Sequence, residues 1–211
     1  MKKILILLIC FLCTSCFEIT EKIKHHRDQS GEYSITVDFS KSWLKTKSAM
    51  LLEEIDGTKI PNEDEITQKL NDFKRTASKI DGISNIITTT NFDDYIFTIS
   101  LNYKNVAALN AAMNAVNKQN ERVYVVSNNA NSFERRANYP IPEKLANDPK
   151  RKSDLEQANV ISIYTFDTEI ATVNNASSKI SKNKKSVFLK HTVYNVLKKS
   201  SLMNNSIQLT H

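Results

Sequence analysis

The chain has 211 residues, 40% hydrophobic side chains and a formal charge of +6, which suits a single domain with a core of its own. It holds only three glycines, and this excludes phosphate-cradling loops and dinucleotide-binding folds, which need several glycines at fixed spacing. Neither a Gly-x-Ser-x-Gly nor a His-Glu-x-x-His motif occurs, so no esterase or zinc-protease chemistry is indicated.

The start of the chain has the layout of an export signal. Two lysines precede an uninterrupted apolar run at residues 4–12, and two small residues then precede Cys16. The run is shorter than the roughly 20 apolar residues that a membrane-spanning helix needs. We therefore predict a signal peptide at residues 1–15 and a mature chain that begins at Cys16. The alternative is an ordinary secreted protein that is cut near Ser15.

The segment that ends at Cys16 resembles bacterial lipoprotein signals, in which the peptidase cuts before a cysteine that carries a diacylglyceryl group. Thr14 and Ser15 fit that pattern, whereas Cys13 stands where such signals usually have Leu. The resemblance implies lipidation of Cys16, with diacylglyceryl and palmitate chains. All three cysteines lie within the first sixteen residues, so the mature domain has no internal disulfide. Phe17 as the second mature residue is compatible with sorting to the outer membrane.

A β-hairpin is predicted directly after Cys16. Residues 17–26 alternate imperfectly, and residues 32–39 place four apolar side chains on one face. Asp28-Gln29-Ser30-Gly31 between them is typical of a turn, with Gly31 available for a positive φ. Because the first strand follows Cys16 without a tether, we expect the hairpin and any ligand surface to lie close to the membrane.

Two helices are predicted next. Ser40 is the expected N-cap of a helix at residues 41–52. Asn62 and Glu65 form a capping-box-like pair at the start of the second helix. The side chains expected to be buried are Trp43, Met50 and Leu51 in the first helix, and Ile66, Leu70, Phe73, Ala77 and Ile80 in the second.

Three strands and a helix follow up to residue 127. The predicted elements are strands at 83–90 and 95–103, a helix from the cap Asn105 to residue 118, and a strand at 122–127. From residue 32 onward the order is strand, helices, strand, strand, helix, strand, which is the split-βαβ arrangement. This order predicts an antiparallel sheet with helices packed on one face.

The remaining residues predict further strands. Short strands are expected at 132–137, 160–166 and 184–193, a loop with a helical turn at 139–157, and a loose tail at 202–211. The predicted fold class is therefore α+β, with a mostly antiparallel sheet, helices on one face, a split-βαβ-like core and extra C-terminal strands. We expect a single domain at residues 16–201, followed by the loose C-terminal tail.

Two groups of segments resemble known envelope proteins. Residues 15–19 and the run Asp28-Gln29-Ser30-Gly31-Glu32-Tyr33, continued to Ser40, are similar to uncharacterised lipoproteins of the Bacteroidota. Residues 160–166, 170–175 and 185–189 are similar to the closing strands of LppM-like domains. The resemblance implies an α+β lipoprotein domain with a lipid-binding or envelope role, and it carries over no functional residue.

The titratable residues offer no catalytic or metal site by their spacing. His25 and His26 are neighbours on a strand and point to opposite faces, so we expect no metal ligation there. Asp93-Asp94 suits a turn, and Glu63-Asp64-Glu65 suits the start of a helix. Arg135-Arg136 predicts one surface arginine and one structural ion pair. We predict no catalytic, cofactor-binding or metal residues, and no cofactor.

Seven lysines and no acid lie between residues 170 and 211. This basic segment either faces anionic lipid or glycan phosphate or forms a solvated surface. We expect a non-enzymatic, lipid-anchored protein of the cell outer membrane, periplasmic or surface-facing, with a binding or assembly role. Its expected partners are the membrane through Cys16 and a lipid, glycan or envelope protein, but no nucleic acid. The alternatives are a structural subunit of an outer-membrane complex and an enzyme of unrecognised type.

Overall fold

The computed structural model of the chain describes residues 17–52, 54, 55, 58–117, 123–126, 131–136, 149 and 151–210. The predicted signal peptide and Cys16 lie outside these residues and stay predictions. Among the described residues, no helix is long and apolar enough to cross a membrane.

Thirteen strands and five α-helices are assigned in the described residues. The strands are β1 Glu18–His25, β2 Gly31–Asp38, β3 Glu54–Ile55, β4 Thr58–Lys59, β5 Ile83–Asn91, β6 Ile96–Tyr103, β7 Tyr124–Val126, β8 Ser132–Arg135, β9 Asn159–Phe166, β10 Ile170–Val173, β11 Lys179–Ile180, β12 Ser186–Thr192 and β13 Asn205–Leu209. The helices are α1 Trp43–Leu51, α2 Glu63–Ala77, α3 Val106–Asn117, α4 Lys152–Gln157 and α5 Val193–Lys198.

Two sheets contain eleven of these strands. The larger sheet has the order β11-β12-β9-β1-β2-β6-β5, the smaller has the order β10-β13-β8-β7, and β3 and β4 form a separate hairpin. Every described pair is antiparallel except β1 with β9. The predicted α+β class with a mostly antiparallel sheet is therefore confirmed.

Strand β1 lies at the centre of the larger sheet. Every residue from Glu18 to His25 pairs with β2 on one side and with β9 on the other. The hairpin between β1 and β2 was predicted, but Gln29 rather than Gly31 takes the left-handed conformation, with a φ of 69°. Gly31 is needed for another reason, because an added Cβ would overlap the Lys24 carbonyl and the Tyr103 ring.

The main core fills the space between the inner face of the larger sheet, the smaller sheet, α2 and α3. Phe133 of β8 is fully buried there. Its ring centroid lies 5.2 Å from that of His25, 5.5 Å from that of Phe166 and 5.7 Å from that of Tyr164. A second cluster packs α4 and α5 against Val160 and the neighbouring β12. Val160 of the second cluster and Tyr164 of the main core lie on the same face of β9. Helices α2 to α5 therefore pack on one face of the sheet, as predicted.

The sequence signals that predicted how α2 begins are confirmed, whereas the predicted N-cap and buried residues of α1 are not. Asn62 and Glu65 form a complete capping box at the start of α2. In contrast, α1 begins at Trp43 after a short 3₁₀ turn, and its N-cap Ser42 makes no side-chain capping bond. Trp43 and Leu51 were expected to be buried, but they are 48% and 76% exposed. The neighbouring apolar residues Leu44 and Leu52 are exposed as well.

The predicted loose tail is wrong. Residues Asn205–Leu209 form β13, which lies between β10 and β8 in the smaller sheet. Ile207 and Asn205 of this strand are buried, with exposures of 0% and 2%. The strand forms because its two neighbours, although remote in sequence, satisfy the backbone groups on both of its edges.

The split-βαβ-like core is found for three of its four predicted strands, because β6 lies between β2 and β5 and is antiparallel to both. The fourth predicted strand, β7, belongs to the smaller sheet instead. The physical reason is that β1 occupies the other side of β2 and brings β9 and β12 into the larger sheet.

Candidate functional site

A groove of about 790 Å³ lies on the face of the larger sheet that points away from the core. Ligand pockets in proteins usually have volumes of about 300–1,000 Å³, so the groove is large enough to hold a small ligand. Its floor consists of β9, β1, β2, β6 and β5. Four strand spacings of about 4.8 Å make it roughly 19 Å wide. Lys22 and Lys24 point into it because they alternate along β1 with the buried residues Ile23 and His25.

Two rows of side chains cross the groove. From β9 to β5, the first row consists of Ile163, Lys22, Ser34, Ser100 and Ile87. One ammonium group and two hydroxyls therefore lie between two isoleucines. The second row consists of Thr165, Lys24, Glu32, Asn102 and Ser84. The first row therefore offers hydrogen-bond donors at its centre and apolar contacts at its two ends, whereas the second row is polar throughout.

Strand β5 bulges where it borders the groove. The register with β6 shifts between Ser84 and Ile87, and Asn85 adopts a φ of 50°. Asn tolerates this left-handed conformation better than most residues. Asn85 and Ile87 both line the groove. Bulges often redirect a side chain next to a binding site, and here the bulge adds an amide group to the lining.

The two lysines of the groove differ in their surroundings. Lys24 forms an exposed ion pair with Glu32 at 3.5 Å. No carboxylate lies within ion-pair distance of Lys22 among the described residues, and its direct cross-strand neighbours are Ser34 and Ile163. Lys22 is therefore a cation whose charge is available to an anionic ligand.

A separate cluster of polar side chains is buried between the two sheets. Glu21 of β1 is 5% exposed and accepts hydrogen bonds from the Arg135 side chain at 2.8 and 3.3 Å. The hydroxyls of Tyr124 and Tyr164 donate to the same carboxylate at 2.8 and 2.7 Å. This arrangement confirms the structural ion pair that was predicted for one of the two neighbouring arginines.

The protonation states of this cluster favour a fixed structural role. Burial alone would raise the pKa of Glu21, but the charge of Arg135 and the hydrogen bonds from Arg135, Tyr164 and Tyr124 outweigh burial and lower that pKa. Burial, and then the charge of Glu21, raises the pKa of both Tyr124 and Tyr164 well above its ordinary value. The carboxylate stays charged and the phenols stay protonated, so the donors and the acceptor keep their roles.

The two adjacent histidines lie in different environments. His25 is buried, and its Nδ1 shares a hydrogen bond of 3.0 Å with the Tyr103 hydroxyl. His26 lies in the turn, 3.1 Å from an oxygen of Asp167. Burial, and then the charge of His26, lowers the pKa of His25 from 6.5 to about 4. Among the described residues, no group of three potential His, Cys, Asp or Glu ligands is close enough to hold a metal ion.

The other titratable residues named from the sequence lie at the surface. In the β5–β6 turn, the backbone N–H groups of Asp93 and Asp94 both donate to the Asn91 side chain at 3.0 Å. Arg136 pairs with Glu134 at 2.8 Å, and both side chains are solvent-accessible. The structure does not bring these residues together with the groove or with the Glu21 cluster.

Comparison with solved structures gives a likeness in fold. No family model matches the chain, and no curated protein matches it. The chain is similar to the NMR structure of the folded domain of Mycobacterium tuberculosis LppM, with a TM-score of 0.47 and 13% identity over 94% of this chain and 92% of that chain. At this TM-score and identity the match assigns no ligand and no residue role. The grouping with lipoproteins of the Bacteroidota stays a prediction.

The groove was missed at the level of the sequence, although one signal was visible. The polar residues Thr98, Ser100 and Asn102 alternate with apolar ones along β6, and this pattern indicates a solvent-facing side. It does not show that β1, β2 and β9 add their own polar faces beside it, because these pairings join residues that are far apart in the chain.

Proposed function

We propose that this protein is a lipid-anchored protein of the cell envelope, held at the outer membrane through Cys16, and that the sheet groove binds an anionic lipid or glycan without catalysing a reaction. The observation that carries the proposal is the groove itself. Its first row combines the available cation of Lys22 with the hydroxyls of Ser34 and Ser100, between Ile87 and Ile163.

This combination suits a ligand that bears a phosphate or carboxylate next to sugar or glycerol hydroxyls. Lysine binds such an anion as a point charge, and the serine and asparagine side chains hydrogen-bond to its neighbouring hydroxyls. The two isoleucines then offer contact to an acyl chain or to the apolar face of a sugar. The Glu21 cluster is closed to solvent, so its ionisable groups support the fold rather than a reaction.

Native mass spectrometry of the detergent-solubilised protein tests the proposal. The wild-type protein is expected to retain a ligand, whose mass separates a lipid from a glycan. Lys22→Glu is expected to lower the ligand-bound fraction about tenfold, because a hydrogen bond to a charged group contributes roughly 1.5–3 kcal/mol. Lys190→Glu is the matched control, since Lys190 is exposed on the same sheet face but outside the groove. Equal ligand retention by the two variants, or no ligand on the wild type, would contradict the proposal.

A second candidate is a subunit of an envelope protein complex. Strand β5 is nine residues long, lies at the edge of the larger sheet and contains neither a charged residue nor a proline. Natural edge strands usually carry such residues to prevent pairing with other chains, so β5 suits the addition of a partner strand. In this case the same spectra would show a stoichiometric partner chain. That chain would be lost in Thr90→Lys, which places a charge on the edge and leaves the groove unchanged.

A further inference from the structure

Helix α1 carries an exposed apolar surface, here called the α1 surface, which consists of Trp43, Leu44, Leu51 and Leu52. These side chains are 48%, 51%, 76% and 65% exposed. None of the nine residues of α1 is buried. Scattered single apolar residues are normal on a protein surface, but a contiguous group on one element marks an interaction site.

The orientation of α1 is the reverse of that of an ordinary surface helix. At 100° per residue, Trp43, Leu51, Leu44 and Leu52 fall on one half of the helix, with Lys47 and Ser48 between them. The opposite half, which holds Thr46 and Ala49, is less exposed and faces the domain. The helix therefore turns its large apolar residues away from the protein and toward whatever covers them.

The charges on this segment have one sign. Residues 40–52 contain the lysines Lys41, Lys45 and Lys47 and no acid, and the first acid that follows is Glu53. Lys45 extends across to Asp154 of α4 at 3.2 Å. A short helix with Trp and Leu on one side and lysines beside them matches the composition of segments that lie in the membrane interface, where apolar groups enter the headgroup boundary and cations face anionic lipid.

The end of the sheet at which α1 lies indicates which partner covers its apolar residues. Glu18, the first residue of β1, pairs with Asp38, the last residue of β2. The Phe17 and Phe39 rings lie beside each other, with centroids 5.2 Å apart. Trp43 follows Phe39 by four residues, which is at most about 14 Å of chain. Helix α1 therefore lies at the end of the sheet where the chain continues to Cys16, and not at the end that holds the β1–β2 turn.

The same end of the domain carries another aromatic and basic group. Tyr194 of α5 lies there because α5 follows the end of β12, which pairs with Asn159 beside Glu18. The ammonium groups of Lys152 and Lys198 lie 5.5 and 5.8 Å from the centroid of the Tyr194 ring. Tyr and Trp are both enriched where proteins meet the membrane–water interface.

We propose that the α1 surface lies in the headgroup region of the membrane, as a second point of contact beside the lipid on Cys16. This inference rests on the lipid anchor of the proposed function and not on the groove. The diacylglyceryl and palmitate chains expected on Cys16 would hold the protein at the membrane, and a second contact would fix how the domain is oriented. With α1 against the lipid, β1 points away from the membrane surface.

Trp43 is the only tryptophan of the chain, so its fluorescence reports on this surface alone. The full protein, purified from membranes, is reconstituted into vesicles of phosphatidylethanolamine and phosphatidylglycerol. We expect phospholipids that carry bromine in the upper part of their acyl chains to quench Trp43 strongly. We also expect quenching by acrylamide to fall several-fold relative to the detergent-solubilised protein.

Substitution separates the α1 surface from other exposed apolar residues. Leu51→Glu combined with Leu52→Glu should restore acrylamide quenching and weaken bromine quenching several-fold, while the thermal unfolding curve stays unchanged because both side chains are exposed. Ile180→Glu is the control, since Ile180 is also exposed, at 40%, but lies on the remote edge strand β11. It should behave as the wild type.

The vesicle experiment distinguishes an error in the predicted lipid anchor from an error in the α1 proposal. If the protein floats with the vesicles while Trp43 stays accessible to acrylamide and is not quenched by bromine, the α1 proposal is wrong and the anchor stands. If acyl labelling is absent but bromine still quenches Trp43, the anchor is wrong and the α1 surface binds lipid by itself. A stoichiometric protein that shields Trp43 in place of lipid would also overturn the proposal.

Discussion

Glu21 lies in the middle of β1 and receives hydrogen bonds from side chains of three other strands, namely β7, β8 and β9. Its partner Arg135 is 2% exposed. Removing one member of a buried ion pair leaves an uncompensated charge, which costs about 3–5 kcal/mol. This loss is a large part of a typical domain stability of about 5–15 kcal/mol.

Glu21→Gln keeps the shape of the side chain and removes its charge. We expect the free energy of unfolding, measured by urea denaturation, to fall by about 3–5 kcal/mol because Arg135 remains buried and charged. Glu32→Gln is the matched control, since Glu32 forms an exposed pair with Lys24 that contributes only about 0–1 kcal/mol. Losses of similar size in both variants would show that Glu21 does not join the sheets as described.

His25 gives the stability a pH dependence. The unfolded chain binds a proton on this residue below about pH 6.5, whereas the folded chain does so only near pH 4. Stability is therefore fully present above pH 6.5 and decreases as the pH falls from 6.5 to 4. The total loss is about 3 kcal/mol, at 1.36 kcal/mol per pKa unit.

The variant His25→Phe should flatten that slope when urea unfolding is measured at several pH values between 4 and 6.5. His26→Gln is the comparison and should keep most of the slope of the wild type, because burial is the largest cause of the lowered pKa of His25 and the charge of His26 is the second. If His25→Phe and the wild type lose stability in parallel over this range, His25 is not the residue responsible.

The Glu21 cluster was not predicted from the sequence. Glu21 shares a face of β1 with Ile19 and Ile23, but the sequence around it does not show which side chains it meets. Arg135 is 114 residues away in the chain, and no local pattern connects the two.

At the scale of the secondary-structure element, substitutions in β13 test the fold most directly. Ile207→Ala should lower the free energy of unfolding by about 2–5 kcal/mol, because it removes a fully buried side chain and leaves a cavity. Gln208→Ala is the control on the same strand, where the side chain is exposed, and should change stability by less than about 0.5 kcal/mol. A loose tail would make both substitutions neutral in thermal unfolding.

Elements with local signals were predicted well. Helix α2 was found because Asn62, Glu65 and an apolar stripe all lie within its own sequence. Strand β13 was missed because only Ile207 and Leu209 of its five residues are apolar and its partner strands lie far away in the chain. The expected burial of Trp43 and Leu51 was wrong for another reason, since apolar residues on a helix indicate a contact surface without saying whether the same chain covers it.

At the scale of the whole molecule, the hairpin turn and the start of β1 lie at opposite ends of the sheet. Strand β1 rises about 3.3 Å per residue, so His25 lies roughly 23 Å from Glu18. The turn at Gly31 is thus at the end of the sheet remote from Cys16, and the groove around Lys22 lies between the two ends. With the lipid on Cys16, as predicted, β1 would lead away from the point of attachment, and this geometry does not favour the expectation that the hairpin turn lies close to the membrane.

The anchor remains testable by substitution. Cys16→Ser should abolish acyl labelling in cells and leave uncleaved precursor or released protein, because no other cysteine follows residue 16. Cys13→Ser should keep both labelling and membrane association, since Cys13 follows the large residue Leu12 and is a poorer acceptor. Continued acylation of the Cys16→Ser protein would show that the lipid is attached elsewhere.

The central position of β1 also has a mechanical consequence. A pull on the N-terminal end of β1 acts along the strand, and the hydrogen bonds to β2 and β9 lie across that direction. All eight residue pairs on each side are then loaded in shear at the same time, whereas a terminal edge strand would peel away one bond after another. The domain is therefore able to bear tension applied at this end without losing β1 from the sheet.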